Sequence, residues 1–389
     1  MRSLNLARYA LSACAAAAIV SGCGGSQPLA GPGMMPQQAR SAPHTVPEWK
    51  ARGQARSACP EVVGKPTCFA LIKTKGASPA CIGSSCGWAP LDLQTRYKLP
   101  IAKGAGQIVA IVDAGDNPSA ASDLSTYRTQ FGLGTAVFSK YNQEGQQGNY
   151  PTYTGWSVEI DLDIEMVSAT CPKCTIFLVE ANSSDNADLE AAEAEAVTLG
   201  AHIVSNSWGC YGSISCVGQS YFDTPGVAYL AATGDAGLNQ MGAPAALASV
   251  AAIGGTQLAK NGSQYSETIW SGAGGGCVTG IAKPKWQHDN VCSARAAADG
   301  SAEAGCSPGV SEFDSFDGGW FGVCGTSAAS PIVAGAFGLA GNATKQNGGR
   351  TFWLRKHRKH LYDVCSSQCL FSTYSYGGGW GSPNGLGAL

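Results

Sequence analysis

CTIFLVEANSSDNADLEAAEAEAVTLGAHIVSNSWG (174–209) contains three elements in succession. CTIFLVEA (174–181) and AHIVSNSWG (201–209) are short, apolar and largely β-branched, the pattern of strands buried on both faces. Between them, NADLEAAEAEAVTLG (186–200) is built from strong helix formers and stops at Gly200, so it is predicted to be a helix. Upstream, QIVAIVDAG (107–115) repeats the strand pattern, and so does VAYLAATGDAG (227–237) downstream. Strand–helix–strand alternation predicts an α/β fold, a parallel sheet with helices on both faces. In such sheets the chemistry gathers at the carboxyl ends of the strands.

The 389 residues suffice for one large α/β domain with additional segments. Charged residues make up 13%, about half the usual share, while 52 glycines and a 44% apolar fraction suit a buried, loop-rich globule rather than a disordered chain. The net charge is −2, and the one local cluster of bases is LRKHRKH (354–360). That balance excludes a nucleic-acid surface, which needs a basic face.

The first residues read as an export signal. Arg2 and Arg8 precede an apolar stretch, Ala10–Val20, too short to span a bilayer. Val20-Ser21-Gly22-Cys23 resembles a bacterial lipobox, in which the Cys23 thiol becomes the acylated first residue. This predicts an exported chain held to the cell envelope or surface by a lipid. The expected organisation is a lipoprotein signal (1–22), a flexible Pro/Gly-rich tether (23–46), a short Cys-rich segment (47–87) and a long domain (88–389).

Export favours disulfides. Without Cys14 and Cys23, fourteen of the sixteen cysteines remain. Close pairs are Cys59/Cys68, Cys81/Cys86, Cys171/Cys174, Cys210/Cys216 and Cys365/Cys369. Cys277, Cys292, Cys306 and Cys324 are left, with connectivity that spacing does not decide. CPKC (171–174) has no second ligand pair beside it, so a local disulfide is expected there rather than zinc.

The strongest chemical motif is GTSAASPIVAGAFGLAG (325–341), a Gly-Thr-Ser turn running into an apolar helix of small residues. It places Ser327 at a helix N-terminus, where the dipole favours negative charge. A serine there is ordinarily a cap, but the motif resembles the nucleophile segment of subtilisin and sedolisin proteases. A nucleophilic serine needs a base. Asp113 ends the VAIVDAG strand where a subtilisin-like aspartate would sit, yet no His-Gly-Thr follows, and His44, His202, His288, His357 and His360 lie in no catalytic motif. In its place stands GWSVEIDLDIEM (155–166). Taken locally, acids alternating with apolar residues form a strand pattern. On a helix, Glu159 and Asp163, four apart, would face the same way and could share a proton.

Together these segments resemble the sedolisin family of serine-carboxyl peptidases. Along 88–389 the likeness includes, in order, PLDLQTRYKLP (90–100), DNPSAASDLSTYRTQFGL (116–133), CPKCTIFLVEA (171–181), SNSWG (205–209), ATGDAG (232–237), SETIWSGAGGGC (266–277) and KPKWQ (283–287). The resemblance implies a subtilisin-like fold and a helix over the acids. It also implies endopeptidase activity on polypeptides, with Ser327 as nucleophile, Glu159 and Asp163 as its acidic partners, and Asp235 stabilising the oxyanion. A glutamate base and a protonated aspartate both point to acidic working conditions, below about pH 6. Ser207, Trp208, Gly209, Gly274 and Gly275 are expected to line the cleft, with backbone able to pair with an extended peptide.

The chain departs from the family in two places. Asp363-Val364 fits the start of the family's C-terminal calcium site, but Gly381 stands where a second ligand aspartate belongs, so no required cofactor is expected and calcium binding would be weak. A Cys365–Cys369 bridge could brace that loop instead. Gly24–Gly87 is also too short for the family's prodomain, which leaves the Cys-rich segment as a brace or a reduced inhibitor. The alternative reading is a non-catalytic, surface-anchored binding protein on a protease fold. A monomer is expected.

Overall fold

The computed structural model describes residues 48–62, 64–74, 86–346 and 348–389. The signal, the tether (23–46) with Cys23, Pro47 and Cys81 lie outside the described residues. The remainder belongs to one unit spanning Thr45–Leu389.

The first elements come from the Cys-rich segment: helix α1 (Glu48–Ala51) and strands β1 (Ala55–Ser57), β2 (Thr67–Cys68) and β3 (Leu71–Lys73). They pack into the domain that follows, because β3 lies between β1 and a strand contributed from the far end of the sequence. Helix α2 (Pro90–Arg96) leads to β4 (Ile108–Ala114), α3 (Ala120–Phe131) and β5 (Val137–Asn142). Helix α4 (Ser157–Thr170), β6 (Thr175–Ala181), α5 (Asn186–Thr198), β7 (Ile203–Asn206), β8 (Trp208–Gly209) and β9 (Ala228–Ala232) continue the alternation. The second half adds β10 (Val250–Asn261), β11 (Gln264–Ile269), β12 (Gly276–Ala282), β13 (Ala294–Ala297), β14 (Gly300–Glu303), β15 (Val310–Asp314) and β16 (Gly319–Cys324), and then α6 (Thr326–Ala340).

The main sheet has eight strands in the order β11-β10-β9-β7-β4-β6-β5, with β14 also beside β10. Every pairing in it is parallel except β10 with β11. Its central strands are buried almost residue by residue, which requires cover on both faces. From β4 the chain runs to the edge strand β5, returns to β6 between β5 and β4, and then crosses to β7 and β9 on the other side. The carboxyl ends of β4, β7 and β9 therefore surround a topological switch point, the usual position of a site in such sheets.

Six disulfides join described cysteines. The close pairs 59–68, 171–174, 210–216 and 365–369 are bridged as expected. The undecided four pair as Cys277–Cys292 and Cys306–Cys324. No helix among the described residues is long and apolar enough to cross a membrane.

Candidate active site

Residues 158–166 form part of a helix, against the local strand pattern. All fourteen residues of α4 are buried, so the helix has no wet face to create an amphipathic period. Residues two apart on a helix differ by about 200°, so the four acids divide between opposite sides. Asp161 and Glu165 turn toward Asn117 Nδ2 (2.8 Å to Asp161 Oδ2) and the Phe313 amide (3.1 Å to Glu165 Oε2). Glu159 and Asp163 turn toward α6.

Gly325 precedes α6, and Ser327 is its second residue. Small residues let the two helices approach: a Cβ on Gly335 would lie 2.1 Å from Thr170 Oγ1. Ser327 Oγ lies 2.8 Å from Glu159 Oε2 and 3.1 Å from the Ser207 carbonyl oxygen. Pro331 has no N–H to return to the Ser327 carbonyl four residues earlier. That carbonyl accepts from Ser207 Oγ instead (3.3 Å), and the same hydroxyl lies 2.6 Å from Asp163 Oδ1. Ser207 thus links Asp163 to the backbone of Ser327 through its side chain, a contact that its place in SNSWG does not signal.

Asp235 follows β9. Its Oδ1 accepts from Thr326 N (2.8 Å) and Thr326 Oγ1 (2.9 Å), which aims the other oxygen past Gly325. Oδ2 has no hydrogen-bond partner among the described residues, nor do Glu159 Oε1 and Asp163 Oδ2. Carboxyl oxygens left bare in a dry site are the positions at which protons are held.

Ser327, Glu159 and Asp163 are fully buried, and Asp235 is 1% exposed. Burial, then the neighbouring Asp163, pushes Glu159 well above the usual carboxyl range, against the lowering effect of its bonds to Ser327 and Ala70. Burial and Asp113 raise Asp163. Burial raises Asp235 to about 8 although Thr326 opposes it. Asp113, near the end of β4, is buried with neither oxygen bonded among the described residues and is also raised, first by burial and then by Glu159 and Glu180. It belongs to the carboxyl cluster without touching Ser327 through a hydrogen bond. No histidine among the described residues bonds Ser327; His202, for instance, is exposed and bonds the Gly226 carbonyl.

The cleft is filled by the chain's own Cys-rich segment. β2 runs antiparallel to β8, pairing Thr67 with Gly209 and Cys68 with Trp208, and Phe69 N donates to the Ser207 carbonyl at 3.0 Å. Ala70 N donates to Glu159 Oε2 at 2.8 Å, and β3 continues along β16. The Cys59 and Cys68 sulfurs lie within 4.8 Å of a Glu159 oxygen, but they are joined to one another and cannot ligate a metal. Ser207, Trp208 and Gly209 therefore lie against Thr67–Phe69. Gly274 and Gly275 do not pair with this segment: Gly274 N is bonded to Gly234 O (2.8 Å), and Gly275 O accepts from Asn239 N (2.7 Å).

At the C-terminal loop, Asp363 is exposed and its Oδ1 accepts from Cys365 N at 3.0 Å, with the Cys365–Cys369 bridge beside it. Val364 is buried in the core. Gly381 has φ +118°, and a Cβ there would lie 1.9 Å from the Tyr362 carbonyl oxygen, so the backbone leaves no room for the aspartate the family pattern wants.

A serine at a helix N-terminus above the carboxyl ends of a parallel sheet is matched by a family model. Residues 104–377 fit Peptidase_S8, the subtilase family. The chain belongs to the subtilase family. Among solved structures, this subtilase is similar to Pseudomonas sedolisin, a serine-carboxyl proteinase complexed with two molecules of pseudo-iodotyrostatin, at 22% identity and a TM-score of 0.66 over 77% of this chain and 96% of that one. It is also similar to a lanthipeptide protease (16% identity, TM-score 0.52, 80% and 96% covered). Fervidolysin from Fervidobacterium pennivorans, a keratinolytic enzyme related to subtilisin, matches at 15% identity and TM-score 0.52, over 83% of this subtilase and 50% of its own chain. At these identities the likenesses establish the fold. A search of curated proteins by sequence returns no match. Family and fold make the chain a serine peptidase with polypeptide substrates.

Proposed function

We propose that this subtilase is a serine-carboxyl endopeptidase that works in acid. The carrying observation is the base beside the nucleophile: a carboxyl oxygen of Glu159, 2.8 Å from Ser327 Oγ, where a histidine would otherwise be needed. Glu159 takes the Ser327 proton as Oγ attacks the scissile carbonyl. Asp163 shares the charge on Glu159, held in place by Ser207. Neutral Asp235 donates through Oδ2 to the developing oxyanion, helped by the N-terminal dipole of α6. Glu159 then protonates the leaving amine, and water repeats the sequence to free the acyl group.

Both groups are raised by burial, and Phe69 and Ala70 lie against them. Opening the cleft returns water to both groups and moves their titration toward acid. The chemistry needs no metal. In this reading the protein is exported as a monomer and anchored through Cys23, as its basic, apolar and Cys-ending start suggests and its disulfides favour.

The test is hydrolysis of a denatured protein across about pH 3–8 by the protein and its Ser327→Ala variant. Cleavage that peaks in acid and vanishes in the variant supports the reading. A folded protein showing no Ser327-dependent cleavage at any pH would instead be the surface binding protein.

A further inference from the structure

We infer that Asp123, Asp161 and Asp314 form a calcium site on the side of α4 opposite Glu159 and Asp163, apart from the Asp363 loop and independent of the proposed activity.

Three elements far apart in sequence bring these acids together. Asp123 lies on α3, Asp161 on α4 and Asp314 at the end of β15. One oxygen from each lies within 4.8 Å of the other two. Oxygens that share one calcium, each about 2.3–2.6 Å from it, are at most about 5 Å apart. None of the three residues is more than 2% exposed. The donors are carboxyl oxygens alone, without nitrogen or sulfur, which suits calcium rather than zinc.

Hydrogen bonds hold one oxygen of each carboxyl. Asp123 Oδ2 accepts from Ser315 N (3.1 Å) and Ser315 Oγ (2.8 Å). Asp314 Oδ1 accepts from Phe316 N (2.6 Å) and Asp317 N (3.2 Å). Asp161 Oδ2 accepts from Asn117 Nδ2, while its Oδ1 has no hydrogen-bond partner among the described residues. Donors placed in this way favour the charged carboxylate.

A fourth acid points to a ligand independently. Glu312 precedes Asp314 by two residues on β15, so the two side chains stand on the same face of the strand. Glu312 is fully buried, and neither of its oxygens has a hydrogen-bond partner among the described residues. After burial, the acids that act on it most are Glu165, Asp161 and Asp314, so its carboxyl faces the same space. A buried carboxyl without a donor is costly unless an opposite charge lies beside it. Among the described residues no lysine or arginine forms an ion pair with Asp123, Asp161, Glu165, Glu312 or Asp314. Lys140, whose charge reaches Asp161, is bound to Asp116 and Glu180. A divalent cation supplies the missing charge.

Ser315, whose amide and hydroxyl hold Asp123, is exposed, so the turn after β15 gives the ion a way in. Once bound, the ion ties α3 and β15 to the helix that carries Glu159 and Asp163. Ion and protons compete for the same oxygens.

The experiment uses the full-length chain with Ser327→Ala, so that it stays whole, stripped with EDTA and returned to calcium near neutral pH. Melting temperature and calcium retained after desalting are measured for this parent, for Asp161→Asn and for Asp363→Asn. The parent should keep one calcium per chain and melt at least about 3 °C higher with calcium than in EDTA. Asp161→Asn keeps the shape and loses the charge, so it should abolish both effects while melting no lower than the parent in EDTA. Asp363→Asn should retain both. Glu312→Gln should reduce the calcium effect in the same way, and it replaces Asp161→Asn as the test if that variant does not fold. A parent that calcium does not stabilise overturns the inference, as does a rise that survives Asp161→Asn or is lost in Asp363→Asn.

Discussion

The Ala70 amide and the Ser327 hydroxyl meet on one oxygen, Glu159 Oε2, each at 2.8 Å. A single carboxyl group is thus in contact with the hydroxyl proposed as nucleophile and with a peptide nitrogen beyond it. That is what a group acting as base and then as acid requires.

Glu159→Gln keeps the size of the side chain and removes its basicity. Turnover should fall by about 10²–10⁴-fold, while far-ultraviolet circular dichroism stays unchanged. Replacing His202, His288, His357 or His360 in turn should leave turnover within a factor of two or so. Equal losses from any one histidine would show that the base has been misassigned.

Gly325→Ala places a methyl group between the Phe69 carbonyl and Asp235 Oδ2, at a residue with φ +111°. The oxyanion position is then obstructed, and kcat should drop by at least about 100-fold. Steady-state kinetics on a peptide substrate decide this, and unaltered kcat would mean the oxyanion forms elsewhere.

Without divalent cations, stability should be greatest in acid. Asp161, Glu165 and Glu312 are raised first by burial and then by one another or nearby acids, and Glu193 rises to about 8 through burial. A carboxyl raised in the folded state holds a proton that the unfolded chain has released. Its contribution is therefore complete below the unfolded value near 4 and is lost as pH climbs through the folded value. In chelator, the denaturant midpoint at about pH 4 should exceed that at about pH 8.5. An equal or higher midpoint at the alkaline end would contradict this sign.

Cys324 bridges to Cys306 and ends β16 three residues before Ser327. Replacing both cysteines with alanine releases a loop of 18 residues, at a cost of about 3 kcal/mol in the chain-entropy account. Urea unfolding of the double variant measures it, and a change under about 0.5 kcal/mol would assign the bridge little weight.

Gly381→Asp would restore the family's acidic residue in sequence but not in space, since its Cβ meets the Tyr362 carbonyl. The variant should melt lower than wild type in calcium and in chelator alike. A rise with calcium larger than that of wild type would show that the loop can still accommodate a cation.

The strands were legible because buried parallel strands are written as continuous apolar runs; β4, β6, β7 and β9 all fall within the stretches that sequence marked. α4 was not legible locally. A helix enclosed on all sides carries no polar face, and its alternating acids imitate a strand. Family likeness, not periodicity, made it a helix. Within it, Glu159 and Asp163 were readable as partners because four residues bring side chains onto one face. The position of Thr67–Ala70 was hidden for a different reason. TCFA is an ordinary short apolar run, and only tertiary pairing with Ser207–Gly209 gives it a meaning. Ser207 was found for its backbone while its hydroxyl, bonded to Asp163, went unnoticed. Spacing likewise could not choose among Cys277, Cys292, Cys306 and Cys324, whose pairing depends on how β12, β13 and β16 fold back.

Both sulfurs of the Cys59–Cys68 bridge sit upstream of Phe69, so the bridge does not straddle the Phe69–Ala70 peptide bond. Had it done so, hydrolysis there would have nicked a closed ring and left everything attached. As the chain is laid out, no disulfide between described cysteines ties the residues up to Phe69 to those from Ala70 onward; across that division lie the hydrogen bonds of β1 with β3 and β2 with β8, the Lys65–Asp185 ion pair and the contact of Trp49 with the Asp235 carbonyl. On the proposed anchoring through Cys23, scission within that stretch would turn a fixed protein into a diffusible one.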